Sequence, residues 1–117
     1  MARLSTHVLD TAHGKPAPGI RIQLFALQGD ARTLITERVT NADGRTDTPL
    51  LSGDTISTGT YELVFFAGDY FRASGAKMPA PAFVDVVPIR FGIADAAGHY
   101  HVPLLVSPWS FSTYRGS

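Results

Sequence analysis

The sequence predicts an all-β sandwich of about seven or eight short strands with at most one helix. Three observations support this. Apolar residues alternate with a period of two through most of the chain, clusters of Gly, Pro, Asn and Asp recur between the alternating segments, and a single stretch breaks the alternation in a way that suits a helix.

Taken in order, Leu4–Asp10 forms a short strand centred on Val8 and Leu9, and the Gly/Pro-rich loop Asp10–Gly19 ends it. Residues 20–27 alternate cleanly, with Ile20, Ile22, Leu24 and Ala26 on one face and Arg21, Gln23 and Phe25 on the other. Gln28-Gly29-Asp30 is a turn, and residues 33–39 form a second hairpin arm rich in β-branched residues. Asn41-Ala42-Asp43-Gly44 is a turn signal followed directly by Arg45. The strand at 59–66 sets Tyr61, Leu63 and Phe65 opposite Glu62, Val64 and Phe66. Residues 67–77 suit one short helix, limited by Gly68 and Gly75 and stopped by Pro79 and Pro81. In the strand at 83–93, Pro88 implies an edge position or a bulge. Asp95-Ala96-Ala97-Gly98 is a hairpin turn; His99–Ser107 is a strand, Pro108 a break, and Trp109–Tyr114 the last strand.

The 117 residues fit one domain, 1–117, and 44% hydrophobic with 17% charged residues is a globular mixture rather than a disordered one. Lys plus Arg equals Asp plus Glu at 10 each, which argues against a nucleic-acid or membrane partner held by bulk charge. The lack of a repelling net charge favours covering apolar patches by self-association. Without cysteine there is no disulfide framework, no thiolate metal site and no thiol nucleophile. The opening residues lack the apolar run of a secretory leader, no segment has the length of a membrane span, and Arg115-Gly116-Ser117 differs from a Ser-Lys-Leu address. A cytoplasmic location is expected.

The candidate chemistry centres on His7, His13, His99 and His101. His13 lies in the Gly/Pro loop and is expected to be a solvated side chain. His99 and His101, two apart on one strand, share a face and have the spacing of a metal chelate, which would need a further carboxylate or histidine ligand, with His7 available if its strand pairs with this one. On residue types alone His101 is as well explained by a hydrogen-bonded ring on a half-buried strand, and Arg45 by a solvated charge. No Gly-x-Ser-x-Gly elbow and no phosphate-binding glycine loop occurs.

Four segments in order change that balance. Leu4-Ser5-Thr6-His7-Val8-Leu9-Asp10, Asn41-Ala42-Asp43-Gly44-Arg45 with Pro49-Leu50-Leu51 after it, His99-Tyr100-His101-Val102-Pro103-Leu104-Leu105-Val106-Ser107-Pro108, and the ending Ser112-Thr113-Tyr114-Arg115-Gly116-Ser117 together resemble the motifs of the 5-hydroxyisourate hydrolases, relatives of the hormone carrier transthyretin. The resemblance spans nearly the whole chain. It implies a transthyretin-like sandwich of two four-stranded antiparallel sheets with one short helix. The strands fall at 4–10, 20–27, 33–39, near 45, 59–66, 83–93, 99–107 and 109–115. One sheet holds the strands at 4–10, near 45, 99–107 and 109–115.

It further implies a homotetramer, a dimer of dimers, with active sites between facing sheets, acting on 5-hydroxyisourate with no cofactor and no metal. His7, Arg45 and His101 are the implied catalytic set, one imidazole activating water and the other orienting it or supplying a proton. His7, Arg45, Ser112, Tyr114, Arg115, Gly116 and Ser117 are the implied substrate-binding set, with Tyr114 and Arg115 shaping the pocket and holding the tail. Trp109 and Phe111 stand where tyrosine is common in the family and are expected to alter packing rather than chemistry. A small-ligand carrier, a purely structural sandwich and a His-rich metal protein are the competing readings.

Overall fold

The computed structural model describes residues 2–116, so the expectation for Ser117 lies outside the described residues. The elements are β1 (Arg3–Ser5), β2 (Val8–Asp10), β3 (Lys15–Pro16), β4 (Arg21–Gln28), β5 (Ala31–Val39), β6 (Leu51–Ser52), a 3-10 turn (Gly53–Thr55), β7 (Gly59–Phe66), α1 (Ala67–Ala73), β8 (Val86–Ile93), β9 (His99–His101), β10 (Leu104–Val106) and β11 (Phe111–Ser112). They form two layers. One is the antiparallel sheet β5-β4-β7-β8, with Pro88 on the edge strand β8, where its missing N–H costs no interior ladder bond.

The other layer is written in two pieces, β6-β1-β9 and β11-β10-β2-β3. Backbone hydrogen bonds from Val102 N to Ser5 O and from Leu104 N to His7 O, each 2.9 Å, carry the ladder across the break. Pro103 sits at that break and has no N–H to give. The expected strands at 4–10 and 99–107 are therefore each interrupted at their middle.

Other details depart from expectation. The seam between these strands runs parallel: β1 pairs with β9 and β2 with β10 in the same direction, while the other pairings are antiparallel. Residues so far apart in sequence need no hairpin to join them, so the geometric objection to a parallel pair does not arise. The strand expected near 45 is reduced to a single bridge between His7 and Arg45, and the ladder partner of β1 is Leu51–Ser52 instead. Of the expected 109–115 strand, Phe111–Ser112 pairs with β10 and Gly116 bridges to His101.

Alternation decides what each layer buries. Along β1 and β2, Leu4, Thr6, Val8 and Asp10 point inward and are buried, which leaves Arg3, Ser5, His7 and Leu9 on the outward face. The core joins Leu4, Val8, Leu104 and Val106 of this layer to Ile20, Ile22, Leu24, Leu63 and Phe65 of the other, with Phe71 of α1 closing one end. Each such side chain contributes roughly 1.5–3 kcal/mol by leaving water. On the far face of the sheet β5-β4-β7-β8, buried Glu62 is held by Arg32 at 3.1 Å and Arg90 at 3.3 Å. The helix ends earlier than the 67–77 stretch allows. Ala76 N reaches back to Phe71 O and Gly75 N to Arg72 O, the bond pair of a Schellman stop.

Asp10 is fully buried, and its carboxylate accepts from Tyr70 Oη at 2.7 Å, His13 Nδ1 at 2.7 Å and His13 N at 3.0 Å. His13 is exposed, as expected, and its ring is also tied to the buried Asp10 carboxylate. Burial alone raises the Asp10 pKa, but the hydrogen bonds from Tyr70 and His13 outweigh it and hold the carboxyl below its ordinary value. Burial and the same contact push the Tyr70 hydroxyl up to about 12.

Asp10 therefore contributes stability that is complete above the unfolded carboxyl range and is lost as pH falls through the lower folded-state value. Tyr70→Phe is expected to cost about 1.5–3 kcal/mol, the range for a hydrogen bond to a charged group, in urea unfolding. It is also expected to move acid unfolding, followed by circular dichroism, to higher pH.

Candidate active site

The outward face of the layer that contains β1, β2, β9 and β10 carries the candidate residues, and sheet register brings them together. In the parallel β1/β9 pair, Arg3 is opposite His99 and Ser5 opposite His101. Directly opposed residues share a face. Ser5 Oγ lies 2.9 Å from His101 Nδ1, a contact between residues 96 apart in sequence. His7 continues the same face beyond Ser5.

Arg45 is delivered by the Asn41–Gly44 turn. Asn41 Oδ1 accepts from the backbone N–H groups of Asp43 at 2.9 Å and Arg45 at 3.2 Å, and Asn41 N donates to Arg45 O at 2.8 Å. Gly44 has φ 73°, and its carbonyl takes the Val8 N–H at 2.8 Å. A Cβ at this position would collide with the Val8 carbonyl oxygen, so both the left-handed backbone and the close approach require glycine. The result is the antiparallel bridge that sets Arg45 against His7.

The tail completes the arrangement. Gly116 N donates to His101 O at 2.7 Å and His101 N to Gly116 O at 3.3 Å. A Cβ on Gly116 would lie 3.0 Å from His101 Cδ2 and 3.1 Å from its Cβ, so a bare backbone is what lets the tail lie flat against this histidine. Arg115 ties the tail down: its Nη2 donates to His99 O at 3.1 Å, and its guanidinium stacks 4.4 Å from the Tyr100 ring centre.

A cavity of about 270 Å³ is lined by Arg3, Ser5, Arg45, His99, Tyr100 and His101. A second, about 210 Å³, shares Arg3, Ser5 and Arg45 and extends along Thr46–Pro49. Of the sequence-expected residues, Arg45 and His101 line the first cavity, His7 is bridged to Arg45 beside it, and Gly116 backs His101. Ser112 is paired with Leu105 further along the layer, on the same outward face. Tyr114 and Arg115 border a separate, mostly apolar groove against Ile89–Gly92 and Val102.

Arg3 and Ser5 escaped the sequence reading, although counting back from His7 in steps of two reaches both. His99 and His101 do share a face, but Nδ1 of His101 is occupied by Ser5. Among the described residues no group of three or more His, Cys, Asp or Glu converges as a metal site would.

The electrostatics favour neutral imidazoles. The His101 pKa is lowered, first by burial and then by the charges of Arg45, His7 and Arg3. The His7 pKa is lowered by burial and by Arg45, against a smaller opposing pull from the Asp43 backbone and carboxylate. An imidazole that stays unprotonated near neutral pH beside a permanent cation can take a proton from water, while the cation receives developing negative charge.

Comparison with known proteins gives a consistent result. The family model described as "HIUase/Transthyretin family" matches residues 4–116. The chain is 65% identical over 115 residues to "5-hydroxyisourate hydrolase 2" of Rhizobium meliloti (strain 1021), covering 98% of this chain and 96% of that one. Among solved structures it is similar to (S)-allantoin synthase, with TM-score 0.94 and 50% identity over 99% of this chain, which spans 44% of that longer chain. It is also similar to Sparus aurata transthyretin, with TM-score 0.85 and 27% identity over 97% of this chain and 96% of that one. A match of this extent, on the sandwich and the site just described, means that the chain belongs to the HIUase/Transthyretin family.

Proposed function

We propose that this protein hydrolyses 5-hydroxyisourate to 2-oxo-4-hydroxy-4-carboxy-5-ureidoimidazoline, a step of urate breakdown, using water activated by histidine and charge stabilisation by arginine. The observation that carries the proposal is that Arg45 and His101 line one cavity with His7 bridged to Arg45, both rings biased toward the neutral form. The name borne by the 65%-identical relative supplies the substrate.

The substrate is a planar oxidised purine whose six-membered ring opens at an amide-type bond. The oxygen of water adds to the ring carbonyl carbon as one imidazole takes a proton from it. The carbonyl oxygen becomes an oxyanion, stabilised by the Arg45 guanidinium. Collapse breaks the carbon–nitrogen bond, the imidazolium returns its proton to the departing nitrogen, and a carboxyl group is left on carbon. Every proton is accounted for by water and imidazole, so the scheme calls on no metal or cofactor. In the tautomer whose Nδ1–H donates to Ser5 Oγ, His101 presents Nε2 as its free base. His7 then orients the water or supplies the proton; the two roles can be exchanged without altering the balance.

The working form is a cytoplasmic homotetramer, a dimer of dimers, in which a second sheet closes over the open cavity and excludes water. Exposed Phe83, stacked on Trp109 with ring centres 6.1 Å apart, and exposed Phe111 support association of copies.

His7→Asn and His101→Asn are each expected to slow the ultraviolet-monitored decay of freshly generated 5-hydroxyisourate by roughly 100-fold or more, the usual scale of acid–base help. Wild-type decay rates in both variants would rule out the mechanism, and thyroxine binding without turnover would favour a carrier instead. Deleting residues 114–117 is expected to abolish turnover while circular dichroism and gel filtration show a folded assembly. In NMR titration the His101 ring is expected to have its midpoint below the ordinary 6.5, and Arg45→Met to raise it, because removing a neighbouring cation favours the protonated ring.

A further inference from the structure

We propose that Arg3 is a substrate-anchoring residue of this same site, forming with Arg45 a guanidinium pair that grips the oxygen-rich edge of the substrate and the carboxylate that ring opening creates. The inference rests on the functional reading above and adds to it a specificity determinant outside the His7, Arg45 and His101 set.

The other arginines are all engaged within the chain. Arg21 reaches Glu37 and stacks on Phe66; Arg32 and Arg90 share Glu62; Arg38 donates to Thr48; Arg72 bridges Asp69 and Asp85; Arg115 takes His99 O and the Tyr100 ring. Among the described residues, only Arg3 and Arg45 have a guanidinium with no carboxylate, carbonyl, hydroxyl or ring partner. These two line both cavities. A cation that merely solvates a strand end has no reason to be singled out in this way, whereas a pair reserved for a ligand does.

Position agrees with charge. Period-two alternation puts Arg3 on the outward face with Ser5, and register sets it opposite His99, one step along the layer from the Ser5–His101 contact. A guanidinium offers a planar fork of donors suited to adjacent carbonyl oxygens or a carboxylate, and it cannot lose its charge. Asp47 is the carboxylate that shares the second cavity, and it accepts instead from Asn41 Nδ2 at 3.0 Å. Among the described residues no carboxylate engages the pair, which leaves it open to an outside anion. Uniform binding of this kind acts on substrate capture more than on the chemical step.

The test compares Arg3→Gln and Arg3→Lys with wild type. Arg3 is exposed, so neither change disturbs the core. Arg3→Gln is expected to raise KM for 5-hydroxyisourate about tenfold or more with kcat within about twofold, the loss of one charge-assisted bond that is equal in ground and transition states. Arg3→Lys is expected to fall between, because it keeps the charge and loses the fork.

The pH profile provides a readout that a purely structural role would not move. The charged and titratable groups acting on His101 are Arg45, His7 and Arg3. Removing Arg3 is expected to shift the acid limb of activity to higher pH.

Urate, a planar oxidised purine anion that is not hydrolysed, gives a readout independent of turnover. Its calorimetric Kd is expected to weaken about tenfold in Arg3→Gln. Unchanged KM and unchanged urate affinity in Arg3→Gln would overturn the proposal. Wild-type protein that binds urate but does not turn over 5-hydroxyisourate would sink the functional reading, and the urate comparison would then decide Arg3 alone. Wild-type protein that does neither would overturn both.

Discussion

The structure depends above all on the register of the parallel β1/β9 pair. It opposes Ser5 to His101 and Arg3 to His99, and the same alternation sends Leu4 and Tyr100 into the core. A slip of one residue would exchange those sets, burying charge and exposing the core strand. The apolar demand for Leu4 and Val8 to face inward is thus the force that presents Arg3, Ser5 and His7 outward. Stability and chemistry are two faces of one pleat, and the site needs no separate scaffold.

Around that register, three backbone devices trim the geometry. The Asn41–Gly44 turn holds Arg45 against His7 through side-chain-to-backbone bonds, with glycine where a methyl group would strike Val8. Pro103 interrupts the ladder at its midpoint, between the His101 row and the Leu105 row. Gly116 lies along His101 with a bond on each side. Each device puts an unusual backbone feature beside a candidate functional side chain. Local rules of strand formation are relaxed there, while β4, β7 and β8 pair in unbroken register and the edge strand β5 carries a single bulge opposite Leu24/Phe25.

Much of this was legible in the amino-acid order. Strict alternation at residues 20–27 and 59–66 identified two strands of the antiparallel sheet, Pro88 left an edge or a bulge open for the strand at 83–93, and the break in alternation after residue 66 marked the short helix. The motifs around His7, Arg45 and His101 pointed to residues that the fold does gather. What was not legible depends on long-range pairing. The parallel seam, the break at Pro103 and the shift of the edge strand from 45 to Leu51–Ser52 are decisions made between segments, and periodicity within one segment is blind to them. Ser5 and Arg3 went unnoticed because a serine and an arginine near a strand end are ordinary until the opposing strand is known. The tie of His13 to Asp10 was not legible because nothing local reveals that Asp10 points inward and needs donors.

The 96-residue separation between Ser5 and His101 has a consequence for how the protein is made. While the chain emerges from a ribosome, β1 and β2 have no β9 and β10 to pair with, and their inward residues Leu4 and Val8 wait uncovered. The antiparallel sheet joins β4 to β5 by a tight hairpin and its other neighbours by shorter connections, so it can close at less cost, whereas the layer that bears the cavity carries the loop-closure cost of nearly the whole domain. A nascent molecule in which that sheet has closed still carries an unclosed seam. In that stage bare strand edges invite pairing with another molecule before the proper partner arrives.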